Sequence, residues 1–260
     1  SYSLYPVLAQ VQDAHTIKVP LNDDWSLPAS LPAQLNDQGA RLTCLVNPHA
    51  PSGTLHRADA LAAIAAALDG VLLLDEAYAD FVDPQAGYDA VPLIREHDNL
   101  LILRTFSKGY ALAGLRLGYL LGCDALLAPI AQKTRDSYNI DGISQALGCA
   151  AIGDQDYARQ VWQQVRDDRT ALGAGLTQLG FTLAPSEANF LLARVPDGAP
   201  DTAQQLFEAL KAEGIYVRYF SDDRLANRLR ISVGTGDENQ RLIAALQRLL
   251  RAAGRSSGNG

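Results

Sequence analysis

Four largely apolar runs lie in the first half of the chain, and Thr43 in the first and Arg116 in the fourth are the polar side chains within them. The runs are Leu42–Val46, Val71–Leu74, Leu100–Leu103 and Leu115–Leu121, and the Ala-rich helical pattern Leu55–Leu68 lies between the first two. Strands of this kind are buried on both faces, because helices cover both sides of the sheet that they form. The sequence therefore predicts an α/β fold with a three-layer, mostly parallel sheet.

The pattern changes further along the chain. Residues 124–179 are mostly helical, and Val161–Leu179 has the spacing of a long helix that leaves one domain for the next. After Gly180 the composition is that of an α+β domain. Strands are predicted at Phe181–Ala184, Asn189–Ala193, Tyr216–Tyr219 and Leu229–Val233, and helices at Thr202–Glu213, which Gly214 caps, and at Glu238–Ala252. We expect a large domain over residues 1–155, a small domain over residues 156–253 and a disordered tail over residues 254–260.

Composition narrows the class of protein. The net charge of −7 comes with a pI of about 5.0, and no basic face indicates a nucleic-acid partner. No apolar run approaches the length of a membrane span. Three scattered cysteines show neither a disulfide framework nor a metal-binding spacing, so we expect buried free thiols, no metal site and a cytoplasmic location.

Charged side chains follow two neighbouring apolar runs, at the sheet edge where open α/β sheets bind ligands. Asp75 ends the second run and opens the motif DEAY, and a buried carboxylate there needs a cationic partner. Lys108 follows the third run in RTFSKG, where partial desolvation would make its amine nucleophilic. Ser107 and Arg116 could together clamp a phosphate. Taken singly, each of these is better explained as an ordinary surface or capping residue.

A rigid turn, NPHAPSG, follows the first apolar run at Asn47–Gly53. Its two prolines and its glycine fix the backbone, and the side chains of Asn47 and His49 could face a ligand. A simple tight turn is an equally good interpretation. The order of these motifs along the chain, not any one of them, indicates a functional site.

That order is typical of fold-type I pyridoxal-phosphate enzymes. The segment Leu103–Gly122 (LRTFSKGYALAGLRLGYLLG) closely resembles the cofactor-lysine segment of histidinol-phosphate aminotransferases, and the related threonine-phosphate decarboxylases have a similar segment. The motifs DSYNID at Asp136–Asp141 and LRISVG at Leu229–Gly234, and the opening SYSLY, also resemble the histidinol-phosphate branch. The resemblance runs from Tyr2 to about Leu250.

The resemblance implies pyridoxal 5′-phosphate as cofactor, bound by residues 1–155. Lys108 would form the Schiff base with it, and Asp75 would keep its pyridine nitrogen protonated. Tyr78 would hydrogen-bond its phenolic oxygen, while Ser107 and Arg116 would hold its phosphate.

The resemblance also assigns residues that are distant in sequence. Tyr2 matches an aromatic that stacks on the cofactor ring, and Asn47 matches an asparagine that contacts the cofactor. Arg230 matches the arginine that binds the anionic group of the substrate, Arg218 a second substrate arginine, and Asn189 a residue close to both.

The implied reaction is a transamination that belongs to histidine biosynthesis. Histidinol phosphate and 2-oxoglutarate would give imidazole acetol phosphate and glutamate, on a homodimer with sites at its interface. Three alternatives stay open: a threonine-phosphate decarboxylase, an aminotransferase for aromatic amino acids, and a regulatory or binding module or inactive fragment with the same fold.

Two departures from the family pattern bear on these expectations. His49 stands where the family turn usually has its second asparagine. In addition, the family has a segment before the position of Ser1, with an N-terminal arm, a phosphate-binding loop and a tyrosine that reaches the partner subunit. We therefore expect an incomplete large domain, and a chain that alone binds the cofactor poorly or not at all.

Overall fold

The computed structural model describes residues 2–134, 139–199 and 201–254. They form two compact units. The first runs to Ala50 and continues over Thr54–Trp162, and the second comprises Pro51–Gly53 and the chain from Gln163 onward. The division falls inside a long helix, somewhat after the boundary predicted near residue 155, and the domain assignment itself stays a prediction.

The first unit is built on a four-stranded sheet. Its strands, in spatial order, are β1 (Leu42–Val46), β2 (Val71–Asp75), β3 (Leu100–Thr105) and β4 (Gly118–Gly122). The first three are parallel, and β4 runs antiparallel to β3. Because residues 106–117 form a short connection, without the crossover helix that a parallel neighbour needs, β4 can only turn back along β3.

Helices complete this unit, and several short 3-10 turns link its strands. The helices are α1 (Leu4–Val11), α2 (Leu31–Asp37), α3 (Ala58–Ala67), α4 (Asp124–Lys133), α5 (Gly142–Gly153) and the start of α6 (Gln155–Gln178). The 3-10 turns are Ala79–Phe81, Pro84–Ala86, Val91–Arg95 and Ala113–Leu115. The predicted helix at Leu55–Leu68 is thus present in shortened form, whereas α1 and α2 were not predicted.

The core of the first unit lies along the central strands. Leu72, Leu74 and Ile102 expose none of their surface, and Leu61 and Ala65 of α3 pack into the same cluster. Burying each of the larger side chains contributes about 1.5–3 kcal/mol to stability. This burial explains why continuous apolar runs, without alternation, mark these strands.

The second unit has an antiparallel sheet packed against helices. In spatial order its strands are β5 (Thr182–Leu183), β6 (Phe190–Arg194), β8 (Arg228–Ser232) and β7 (Arg218–Tyr219), and its helices are the end of α6, α7 (Ala203–Ala212) and α8 (Gly236–Gly254). Thr202 and Gln205 cap the start of α7 reciprocally, and Gly214 just past its end has a φ of 72°.

The α/β class with a smaller α+β part is therefore confirmed. Within the described residues, no helix is long and apolar enough to cross a membrane. Half of the motif DSYNID, residues 136–138, and nearly all of the predicted tail lie outside the described residues. The cysteines are free thiols, but Cys149 is exposed, so the prediction that all three are buried is wrong.

Candidate active site

The carboxyl ends of β2 and β3 bring two of the predicted residues to one edge of the sheet. Asp75 is the last residue of β2 and lies opposite Leu103 of β3. Lys108 lies in the turn that follows β3, beyond the same edge. The parallel arrangement of these two strands thus places the acid and the amine at one end of the first unit.

Asp75 is held by two hydrogen-bond donors. Its side chain is buried, at 6% exposure, and its Oδ1 accepts the backbone N–H of Ala77 at 3.0 Å. Its Oδ2 accepts the hydroxyl of Tyr5 at 2.5 Å. Burial, the hydrogen bond to Asp75 and the charge of Asp75 all raise the pKa of Tyr5, so this hydroxyl stays a donor throughout the neutral range. Asp75 therefore has a fixed direction and a permanent partner.

Tyr5 was missed by the sequence analysis. Its contact with Asp75 spans 70 residues, and nothing in the pattern of α1 indicates it. Tyr2 meets Tyr5 edge to face, with ring centroids 5.9 Å apart, and is itself 54% exposed. The aromatic ring predicted to stack on the cofactor is therefore accessible and lies near the partner of Asp75.

The turn that carries Lys108 is closed by its own backbone. The N–H of Ala111 donates to the carbonyl of Lys108 at 3.1 Å, and the N–H of Leu112 donates to the carbonyl of Phe106 at 3.0 Å. Lys108 is exposed. The predicted desolvation of its amine is therefore not found in this chain, because the residue lies on the turn beyond β3 and not within the strand.

The predicted phosphate clamp flanks the same hairpin. The N–H of Ser107 donates to the hydroxyl of Thr105 at 3.0 Å, which fixes the backbone immediately before Lys108. Arg116 is exposed, with a φ of 53°, and its Nη1 donates to the carbonyl of Ala113 at 2.9 Å. Among the described residues, the other guanidinium donors of Arg116 have no hydrogen-bond partner, which leaves them available for an anion.

Asn47 is engaged by its own turn. It is fully buried; its Nδ2 donates to the carbonyl of His56 at 3.0 Å and its Oδ1 accepts the N–H of His56 at 2.7 Å. Its backbone N–H donates to the carbonyl of Asp75 at 2.8 Å. Asn47 thus ties the end of β1 to the end of β2, and its contact with the cofactor stays a prediction.

His49 has a structural explanation. Its ring stacks on that of Trp25 at 5.9 Å with an interplanar angle of 29°, and both side chains are almost fully buried. Stacked aromatic pairs of this kind stabilise a fold beyond their buried area. The departure from the family turn at this position is therefore matched by a packing partner elsewhere in the first unit.

A buried ion pair fastens the two strand ends to each other. Glu76, the residue after Asp75, has a side chain with no exposed surface, and its Oε2 accepts from Nε and Nη2 of Arg104 at 2.8 and 2.7 Å. Its Oε1 accepts the hydroxyl of Tyr88 at 2.6 Å. Burial alone would lower the pKa of Arg104, but the charge and hydrogen bonds of Glu76 raise it overall. The pair fixes the separation of the elements that carry Asp75 and Lys108.

Tyr78 ends the DEAY motif, and Asp80 lies two residues further along the chain. Tyr78 is half-buried and immediately precedes the 3-10 turn Ala79–Phe81. Burial raises the pKa of Asp80 to about 6; the charge of Arg104 acts against this effect and that of Glu76 adds to it. Asp80 is therefore a carboxyl group that titrates near neutrality, directly behind the turn of Lys108.

The predicted substrate residues lie in the second unit. Arg218 and Arg230 are direct cross-strand neighbours in β7 and β8. The two guanidinium groups share the ring of Phe220, at 5.5 and 5.9 Å, and that of Arg230 also lies 5.0 Å from the ring of Phe190. Buried Nε of Arg230 has no hydrogen-bond partner among the described residues. Asn189, just before β6, accepts the N–H of Val233 through its carbonyl at 2.9 Å.

The groups at the sheet edge of the first unit suit pyridoxal phosphate. The buried carboxylate of Asp75 matches a protonated pyridine nitrogen, and the exposed amine of Lys108 matches an aldehyde. The hydroxyl of Ser107 and the unused donors of the Arg116 guanidinium match a phosphate. Among the described residues, no cluster of three or more His, Cys, Asp or Glu side chains could hold a metal ion. The donor set therefore fits this organic cofactor.

Comparison with known proteins agrees with that chemistry. The family model for aminotransferase class I and II matches residues 1–246. Histidinol-phosphate aminotransferase 1 of Trichormus variabilis is 41% identical over 251 residues, which are 96% of this chain and 69% of that protein. Histidinol-phosphate aminotransferase 1 of a Nostoc species is 40% identical over 252 residues, 97% of this chain and 68% of that protein.

A solved structure gives the same result. The histidinol-phosphate aminotransferase from Sinorhizobium meliloti, in complex with pyridoxal-5′-phosphate, superposes with a TM-score of 0.88 at 28% identity, over 96% of this chain and 68% of that one. The chain belongs to the class I and II aminotransferase family, whose members depend on pyridoxal phosphate, and histidinol-phosphate aminotransferases are its homologues within that family.

Proposed function

We propose that this aminotransferase uses histidinol phosphate as amino donor and 2-oxoglutarate as acceptor, a step of histidine biosynthesis. The reaction yields imidazole acetol phosphate and glutamate. The names of the relatives support this choice, and the observation that carries it is the pair Arg218 and Arg230.

Two like charges directly opposite each other on neighbouring strands destabilise a sheet. A buried guanidinium nitrogen without a hydrogen-bond partner adds a desolvation cost of about 1–3 kcal/mol. Both costs are offset when an anion binds between the two side chains, because each guanidinium then gains charge-assisted hydrogen bonds. Both proposed substrates are anions, so the same pair serves each half of the reaction.

The roles proposed for the first unit are those that the family resemblance implies, and the geometry at the sheet edge supports them. The bound cofactor supplies an electron sink for the bonds of the substrate's α carbon. Asp75, aligned by Tyr5, holds a proton at the pyridine nitrogen, and Ser107 and Arg116 bind the phosphate. Lys108 attaches the cofactor and, once its amine is free, removes the proton from the α carbon. Tyr2, Asn47 and Tyr78 complete the proposed cofactor contacts, and Asn189 the proposed substrate contacts.

Substrate comparison tests the proposal. Purified protein with added cofactor is assayed with histidinol phosphate, threonine phosphate and phenylalanine as amino donors, and release of carbon dioxide is measured alongside glutamate. We expect the largest kcat/KM with histidinol phosphate. Decarboxylation of threonine phosphate, or a larger kcat/KM with phenylalanine, would refute histidinol phosphate as the amino donor and favour the corresponding alternative enzyme. Cofactor binding without turnover would favour a binding module or an inactive fragment.

Arg230→Lys tests the anion pair itself. Lysine keeps the charge and loses the planar fork of donors, so we expect kcat/KM for the phosphorylated donor to fall about 10–100-fold, as is typical when a charge-assisted bidentate contact is lost. Arg194→Lys is the matched control, because Arg194 is a half-buried residue at the end of β6 and pairs with Asp197. Equal effects of the two variants would remove the assignment of Arg230.

The proposal includes a homodimer in the cytoplasm. Sedimentation or light scattering of the cofactor-loaded protein measures the oligomeric state. A monomer that turns over substrate would refute the proposed homodimer.

A further inference from the structure

One side chain of helix α6, Trp162, contacts the turn of Lys108. The indole Nε1–H of Trp162 donates to the carbonyl of Gly109 at 2.7 Å. The same indole meets the ring of Tyr110 edge to face at 5.5 Å, and Tyr110 lies 5.0 Å from Phe106. Aromatic side chains therefore support this turn on both sides of Lys108, and Trp162 bonds to the peptide group that joins Gly109 to Tyr110.

The backbone of this turn needs such support. Ala111 has a φ of 54°, a left-handed conformation that is unfavourable for a residue with a side chain. Strained turns persist only where their surroundings hold them. The hydrogen bond from Trp162 fixes the direction of the peptide group between Gly109 and Tyr110.

A second group confines Gly109 from another side. A Cβ added to Gly109 would lie 2.1 Å from Oδ2 of Asp80, so no side chain fits there and the backbone lies directly against this carboxyl group. With Trp162 at its carbonyl and Asp80 at its α carbon, Gly109 has little freedom to rotate.

We propose that Trp162 is a positioning residue for Lys108, acting through the carbonyl of Gly109. The inference rests on the proposed role of Lys108 as the lysine that attaches the cofactor. Trp162 touches neither cofactor nor substrate in this account. It sets the direction from which the amine approaches its targets, and misplacement by about 1 Å can cost up to about 100-fold in rate.

The test replaces Trp162 with phenylalanine, which keeps an aromatic ring and removes the donor. We expect kcat to fall about 10-fold while KM for the amino donor changes less than about twofold, because orientation of the amine and not substrate binding is affected. A second readout needs no turnover: the rate at which the cofactor-free protein combines with added pyridoxal phosphate, followed by absorbance, should fall by a similar factor.

Gln155→Ala is the matched control. Gln155 donates to the hydroxyl of Tyr110 at 3.1 Å, within the same aromatic cluster, but makes no bond to the backbone of the turn of Lys108. Wild-type kcat and wild-type combination rate in Trp162→Phe, or equal losses in Gln155→Ala, would overturn the proposal. If Trp162→Phe unfolds more readily, benzothienylalanine in place of Trp162 keeps the bicyclic shape without the N–H and gives the same decision.

The combination rate also separates this proposal from the proposed function. Lys108→Ala should abolish combination. If it does not, the role of Lys108 fails, whereas a wild-type rate in Trp162→Phe with no combination in Lys108→Ala refutes only the positioning role.

Discussion

Replacing Asp80 with asparagine should stabilise the protein, and more so as the pH rises. Asp80 lies behind the turn of Lys108, next to Gly109, with Arg104 and Glu76 as its charged neighbours. Burial raises its pKa from the ordinary value of 3.8 to about 6. An acid whose pKa is higher in the folded state binds more protons when folded, so stability is lost as the pH rises from the unfolded-state pKa through the folded-state pKa.

The magnitude follows from these two pKa values. Relative to the unfolded chain, the raised pKa of Asp80 lowers the stability of the folded protein by about 3 kcal/mol at pH values well above the folded-state pKa. At about pH 5, where Asp80 in the folded protein is mostly protonated, the loss is about 1.5 kcal/mol. Asparagine has nearly the same shape and no charge, so it avoids this cost. The gain from Asp80→Asn should therefore grow by about 1.5 kcal/mol between about pH 5 and about pH 8.

Urea unfolding of both proteins at a series of pH values measures this difference. Comparing the two proteins at each pH cancels the contribution of other titrating groups. Asp89→Asn, at an exposed carboxyl group that caps a 3-10 turn, is the control for removing a surface carboxylate. A gain that is constant with pH, or a loss that increases toward high pH, would show that Asp80 is stabilised as a carboxylate and refute the reasoning.

Two further substitutions probe the support of the sheet edge. Arg104→Gln should destabilise the protein by about 3–5 kcal/mol in urea unfolding, because it leaves the fully buried Glu76 without its cation; a loss below about 1 kcal/mol would mean that the pair is hydrated. Tyr5→Phe should cost about 1.5–3 kcal/mol in the same measurement, since it removes a hydrogen bond to the buried Asp75; an unchanged midpoint would show that another donor or water replaces the hydroxyl.

The central strands of the first unit could be predicted because their signal is local. Continuous apolar runs mark β1, β2 and β3, and each begins where the prediction placed it. The direction of β4 is not written in its own residues. It follows from the length of the connection to β3. The apolar run predicted there begins three residues before the strand, and its first two residues are the end of the 3-10 turn Ala113–Leu115 and then Arg116.

The site was only partly predictable. The motif order identified Asp75 and Lys108, and the parallel pairing of β2 and β3 brings both to one edge. Tyr5, Trp162 and the pair of Glu76 with Arg104 were not foreseen, because each contact joins residues that are distant in sequence. The exposure of Lys108 was also predicted wrongly, since hydration depends on what covers a turn and not on the apolar run before it.

The most direct test of the account is the site at which the cofactor becomes attached. The chain has four lysines, Lys18, Lys108, Lys133 and Lys211. Protein incubated with pyridoxal phosphate is reduced with borohydride, digested and analysed by peptide mass. We predict that the label is confined to Lys108, at well below one label per chain because we expect this chain alone to bind the cofactor poorly. The label should be lost in Lys108→Arg and weakened in Asp75→Asn. Label spread over Lys18, Lys133 and Lys211, or label on Lys108 that is indifferent to Asp75, would contradict the account.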